Sequence, residues 1–115
     1  MRVLALIYAD EGPWETAGPE EQEAVYRAYR EFGERAGDKV LGGAELVPTR
    51  AATTVRVRDH ETVVTDGPAE QRSEPLAGFY LLDCSGLEAA ELAAQIPGAS
   101  TGAVELRAER VEGSQ

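Results

Sequence analysis

The chain is expected to fold as one α+β domain, an antiparallel sheet covered on one face by two helices. Three observations lead there. Short apolar runs at Val3–Tyr8 and Gly78–Cys84 are bounded by turn residues and are too brief for helices. Two segments with helical spacing open at Pro19 and at Ser85. The resulting order is β, α, β, a β-hairpin, β, α, β. Without the hairpin this is the split β-α-β arrangement of ferredoxin-like folds.

Val3 to Tyr8 is nearly continuous apolar and ends at Asp10-Glu11-Gly12-Pro13, which fits a buried central strand. Glu11 to Gly18 reads as a loop in which Trp14 covers core or lines a cavity mouth. Pro19 suits a first helical position, where its missing N–H is not needed. Glu20, Glu21 and Glu23 then place negative charge at the positive end of the helix dipole. Val25, Tyr29, Phe32 and Ala36 form the apolar stripe, with Arg27, Arg30, Glu31 and Glu34 opposite, and Gly37 ends the helix.

Lys39 to Pro48 reads as a strand whose Gly42-Gly43 pair marks a bulge or a close backbone approach. Thr53–Arg58 alternates with period 2, Asp59-His60-Glu61 turns, and Thr62–Thr65 returns. The hairpin leads into Thr65-Asp66-Gly67-Pro68, a sharp turn before the strand at Gly78. Ser85 and Glu88 have the spacing of a capping box, opening a helix expected to reach Ile96 before Pro97-Gly98. Ala103–Arg107 alternates as a last strand. The domain therefore spans 1–108, and 109–115 is a polar tail.

The 115 residues carry a net charge of −10, which disfavours nucleic acid and anionic membrane surfaces, since both need clustered Lys and Arg. The apolar amino terminus is short and lacks a small-residue cleavage pattern, and no run approaches a membrane span. A cytoplasmic protein is the default expectation. One cysteine, Cys84, allows no intramolecular disulfide and reads as a small buried hydrophobe. The strands at Val3–Tyr8 and Phe79–Leu82 are apolar on both sides, so the uncovered sheet face is expected to pack on a second copy of the chain.

Several fragments together resemble the YciI-like family, and within it the branch named for a DGPF motif. They are Leu6-Ile7-Tyr8-Ala9-Asp10-Glu11, Pro19-Glu20-Glu21, Gly42-Gly43, Ala52-Thr53-Thr54-Val55-Arg56, Thr65-Asp66-Gly67-Pro68 and Gly78-Phe79-Tyr80-Leu81-Leu82-Asp83. The resemblance implies a dimeric α+β barrel, a homodimer with sheets face to face and a pocket near the interface. Some relatives of this fold are lyases, isomerases or dehydrochlorinases acting on small ring compounds, and DGPF-type proteins are often linked with extracytoplasmic-function sigma factors. This chain departs from the pattern at Ala69, where the motif has Phe. The His–Asp pair proposed as catalytic in other members has no clear counterpart.

Asp66 is the first candidate for chemistry. A carboxylate at a strand end near a pocket can act as a general base, and an Asp before Gly can equally serve the turn by accepting backbone amides. Arg72, near Glu70 and Glu74, can clamp an anionic substrate or join a surface ion-pair cluster. Tyr8 is a candidate hydrogen-bond donor, and Tyr80 and Trp14 are candidate substrate contacts. Each can also be a packing aromatic. His60, the sole histidine, sits in a hairpin turn. A zinc site is not expected, because no second histidine or cysteine cluster exists, and no phosphate loop or dinucleotide fingerprint calls for a cofactor. Three functional readings follow. One is a cofactor-independent lyase or isomerase acting on a small organic molecule. Another is a non-catalytic ligand-binding or regulatory module. The third is an accessory fold with no ligand.

Overall fold

Period-2 alternation in the first strand sets the layout of the molecule. In a computed structural model, which describes residues 1–112, six strands form: β1 (Arg2–Tyr8), β2 (Val40–Glu45), β3 (Thr53–Arg58), β4 (Glu61–Asp66), β5 (Leu76–Asp83) and β6 (Ala103–Ala108). Val3, Ala5 and Ile7 of β1 are buried on one side, while Leu4, Leu6 and Tyr8 are only half-buried on the other. The main sheet has four antiparallel strands in the order β2-β5-β1-β6, and β3–β4 is a separate two-stranded sheet. This is the expected ferredoxin-like arrangement with an inserted hairpin.

Three helices accompany the strands: α1 (Gly12–Thr16), α2 (Pro19–Ala36) and α3 (Gly86–Ala93). The first was expected to be a loop. Five residues are too few to show an apolar period, and the turn is organised by polar contacts: the Asp10 carboxylate accepts the Gly12 N–H at 3.0 Å. Two further contacts fix α1 to the segment after β2. Glu11 accepts the Thr49 N–H and hydroxyl at 2.8 and 2.7 Å, and Glu15 pairs with Arg50.

The second helix buries Phe32 and Ala36 and half-buries Tyr29, as the stripe predicts, but leaves Val25 at its rim. The third helix opens on the predicted capping box: Glu88 N–H donates to Ser85 Oγ, and Ser85 N–H to the Glu88 carboxylate, both at 3.1 Å. It ends at Ala93 rather than Ile96, and the chain turns through Pro97–Ser100 as a 3₁₀ helix. Ile96 is still buried, so the apolar spacing marked burial correctly and overran the helix end. Residues 109–112 are irregular, and 113–115 of the expected tail lie outside the described residues.

The core is the layer between sheet and helices. Val3, Ala5, Ile7 and Leu82 from the sheet meet Phe32, Ala36, Ala89, Leu92 and Ile96, with Cys84 at its margin. Burial raises the Cys84 thiol pKa. In β2 the register slips between Val40 and Gly42, and a side chain on Gly43 would meet the Phe79 carbonyl at 2.5 Å, so the glycine pair marks both a bulge and a close approach.

The opposite sheet face, with Leu4, Leu6, Phe79 and Leu81, has no covering layer among the described residues. The molecule is accordingly flat, 48 × 47 × 19 Å. Its radius of gyration is 16.2 Å, against about 13 Å for a compact domain of this length.

Candidate functional site

Tyr8 ends β1 on the open sheet face, in line with Leu4 and Leu6. The strand is held there on both sides: Tyr8 pairs with Ala103 of β6 and, past an irregularity, with Leu76 of β5. Gly102 is required at this junction, because a side chain there would lie 2.0 Å from the Tyr8 carbonyl oxygen. The next residue, Ala9, donates its N–H to the carbonyl of buried Pro75 at 3.1 Å. That bond draws the loop before β5 back over the end of β1.

The consequence is a contact between two sequence-predicted residues. The Arg72 guanidinium stands over the Tyr8 ring, 4.9 Å from its centroid. Such a stack is worth about 0.5–1 kcal/mol at an exposed site and fixes the direction of the cation. Tyr8 and Arg72 form one wall of a concavity of about 250 Å³, completed by Ser73, Glu74, Ala103, Val104 and Glu105. Arg72 makes no ion pair or hydrogen bond among the described residues. Glu105 is turned toward Arg107, at 3.4 Å. The concavity therefore offers a free guanidinium, a phenol, a hydroxyl and two carboxylates.

The other candidates lie elsewhere. Asp66 ends β4, is exposed, and does not line the concavity. Nor, among the described residues, does its carboxylate hold the turn. The Gly67 N–H donates to the Ala52 carbonyl at 2.7 Å, and Thr54 Oγ1 donates to the Gly67 carbonyl at 2.8 Å. Gly67 takes a φ of 99°, a conformation that favours glycine. Arg56 donates to the Ala69 carbonyl at 3.1 Å, tying the departing chain to the hairpin base.

Tyr80 pairs with Ala5 and so faces the helices, where its ring meets Phe32 with centroids 5.2 Å apart. Burial raises its phenol pKa. Trp14 packs edge-on against Tyr26 at 5.3 Å and is held by the Gln22 amide, which donates to its carbonyl. It does not line the concavity. His60 forms the hairpin turn with Asp59, both at positive φ, as an exposed two-residue connection.

Sequence reasoning missed Glu105. The alternation of β6 separated it from Val104 and Leu106, but only the pairing of Glu105 with Leu6 puts it on the face of Tyr8. No cluster of His, Cys, Asp and Glu among the described residues could hold a metal ion, and no described helix is long and apolar enough to cross a membrane.

With the fold and this geometry in place, comparison with known proteins gives a family. The model of the YCII-related domain matches residues 1–109. The chain belongs to the YCII-related family. A relative in Rhizobium meliloti (strain 1021), itself uncharacterised, is 41% identical over 117 residues, covering 93% of this chain and 90% of its own length. Among solved structures, this YCII-related chain is similar to 5-chloro-2-hydroxyhydroquinone dehydrochlorinase from Burkholderia phenoliruptrix AC1100 in complex with 2,5-dihydroxybenzoquinone. The TM-score is 0.54 at 13% identity, with 96% of this chain and 94% of that one covered. That likeness is one of fold: an antiparallel sheet with helices on one face, as in this chain.

Proposed function

We propose that this YCII-related protein is a homodimer that binds a small anionic organic molecule between Tyr8 and Arg72 and acts on it as a cofactor-independent lyase or isomerase. The observation that carries the reading is the unpaired Arg72 guanidinium, oriented by the Tyr8 ring at the rim of a largely apolar sheet face. A guanidinium suits a carboxylate or phenolate, and its charge-assisted hydrogen bonds are about twice as strong as neutral ones. The Tyr8 hydroxyl supplies a second donor. Glu74 and Glu105 are the carboxylates placed to move a proton, ahead of Asp66. The similar fold of the dehydrochlorinase supports a small ring compound as ligand.

Surface area supports the dimer. The protomer exposes 8149 Å², whereas a compact monomer of this mass exposes about 6,100 Å². The surplus is of the size a permanent interface buries.

Binding of 2,5-dihydroxybenzoquinone, used as an acidic ring probe, tests the reading by calorimetry on wild type, Arg72→Ala and Tyr8→Phe. Loss of binding in Arg72→Ala, with a smaller loss in Tyr8→Phe, supports it. Equal binding by wild type and Arg72→Ala refutes the clamp. A second reading, a ligand-binding module without turnover, is favoured by one observation: the sole histidine, His60, stands at the hairpin tip and does not line the concavity. A bound probe that is recovered unchanged from wild type and from Glu74→Gln alike points to that module.

A further inference from the structure

The β3–β4 hairpin is the part of the fold that the proposed site does not use. Its register pairs Val55 with Val64, Val57 with Thr62 and Thr53 with Asp66, so all six share one face. Val55, Val57 and Val64 are 59%, 60% and 61% exposed. The other face is covered at its base by the Gly67–Ala69 turn, through Thr54 and Arg56. Each strand of the hairpin contacts chiefly the other. A lone two-stranded hairpin is marginal in water, and β-branched residues are favoured where a pleated surface is half-buried. Three uncovered valines on one face of the ribbon therefore need a partner surface.

We infer that the hairpin is an arm that clasps a second copy of this chain, laying its valine face on the body of the partner protomer. The inference rests on the homodimer proposed above and adds a part to its interface. Area is the argument. The open face of the main sheet has four strands of about seven residues, spaced about 4.8 Å with a rise of about 3.4 Å, a planar footprint of only about 460 Å². A standard interface takes about 800 Å² from each partner. The surplus surface of the protomer, about 2,000 Å² over a compact monomer, is larger than that footprint. The exposed valine face of the arm is one place where the remainder lies. In a twofold dimer every arm contact occurs twice, because each protomer gives one arm and receives one. A second copy satisfies the shortfall and the surplus together, since both belong to the same chain. Asp66, at the root of the valine face, enters the interface with the arm.

Sedimentation equilibrium over a range of concentrations tests this on the full chain. The variants are Val55→Ser/Val57→Ser/Val64→Ser in the arm and Leu6→Glu on the sheet face, each checked by circular dichroism. The expected result is a wild-type dimer whose dissociation constant rises about tenfold or more in the arm variant, as it does in Leu6→Glu. A wild-type dimer whose dissociation constant the arm variant leaves unchanged overturns the arm and leaves the dimer standing. A wild-type monomer overturns both. Should the arm variant fail to fold, hydrogen exchange of the wild type decides. Arm amides that lose protection on dilution in step with Leu4 and Leu81 support the clasp. Arm amides indifferent to concentration, while those of the sheet respond, refute it.

Discussion

Tyr8 and Tyr80 lie on neighbouring strands and face opposite sides of the same sheet. Tyr80 is opposite Ala5 and meets Phe32 under α2, while Tyr8 continues the line of Leu4 and Leu6 and carries Arg72. One phenol belongs to the core and the other to the concavity, and their truncations should separate accordingly.

Tyr80→Ala should cost about 3 kcal/mol, the low end for loss of a large aromatic, because the ring is half-buried and its neighbour Phe32 is fully buried. Tyr8→Ala should cost less in the isolated protomer, since its ring lies on the open sheet face under the exposed Arg72 guanidinium. Urea denaturation of both variants measures the difference. A larger loss from Tyr8→Ala would reverse the assignment of faces.

Alkaline pH provides a second test of the same core. Burial raises the phenol pKa of both Tyr29 and Tyr80 above the ordinary value. A group whose folded pKa is raised gives stability that is complete below its unfolded pKa, about 10 for a phenol, and is lost as pH rises through the folded one. Thermal melting should therefore fall on the alkaline side. Tyr80→Phe should flatten that fall with little change at neutral pH, because no hydrogen bond involves the Tyr80 hydroxyl among the described residues. A Tyr80→Phe curve parallel to wild type at high pH would remove Tyr80 as a cause.

The fold was legible because its signals are local. Alternation in β1, the stripe of α2 and the Ser85–Glu88 capping box each specify an element without knowledge of its neighbours. The site was only partly legible because it is made by pairing. Arg72 and Tyr8 are far apart in the chain, and what unites them is the Ala9–Pro75 bond and the turn after β5 and β1 come into register. Asp66 drew attention through Asp-Gly-Pro, a local motif, yet those residues report the backbone of a turn that Ala52 and Thr54 hold. Tyr80 could have been assigned to the helix face by parity with Leu82, had the two faces of the strand been distinguishable by composition. They were not, because Phe79 and Leu81 are equally apolar.

The start of α3 is expected to separate a cap from a charge. Ser85→Ala removes the hydroxyl that accepts Glu88 N–H and should cost about 1 kcal/mol at neutral pH. Glu88→Gln keeps a side chain able to accept the Ser85 N–H and removes the pairing with Lys39. The Glu88 carboxyl pKa is lowered, first by the hydrogen bond from Lys39 and then by the Ser85 amide. A depressed folded pKa gives stability that is present above the unfolded value and lost as pH falls through the folded one. The gap in melting temperature between wild type and Glu88→Gln should thus be open at neutral pH and close in acid. A gap that persists at low pH would show that Gln disturbs the cap itself.

The last expectation concerns Gly102, which fixes where the concavity begins. A methyl group there would sit 2.0 Å from the Tyr8 carbonyl oxygen and 3.2 Å from Ala9 Cα, both of them backbone that cannot swing aside. Gly102→Ala must therefore push β6 away from the end of β1, at a cost of about 1–3 kcal/mol for overpacking. The displacement falls between Tyr8 and Ala103, so it should also open the wall opposite Arg72. Affinity for the acidic ring probe should drop along with stability, although Gly102 itself offers the ligand nothing. Gly33→Ala, on the exposed side of α2 with free space around it, is the matched control and should leave both properties unchanged or slightly raise stability. Probe affinity in Gly102→Ala equal to that of wild type would mean that the concavity does not depend on the β1–β6 junction.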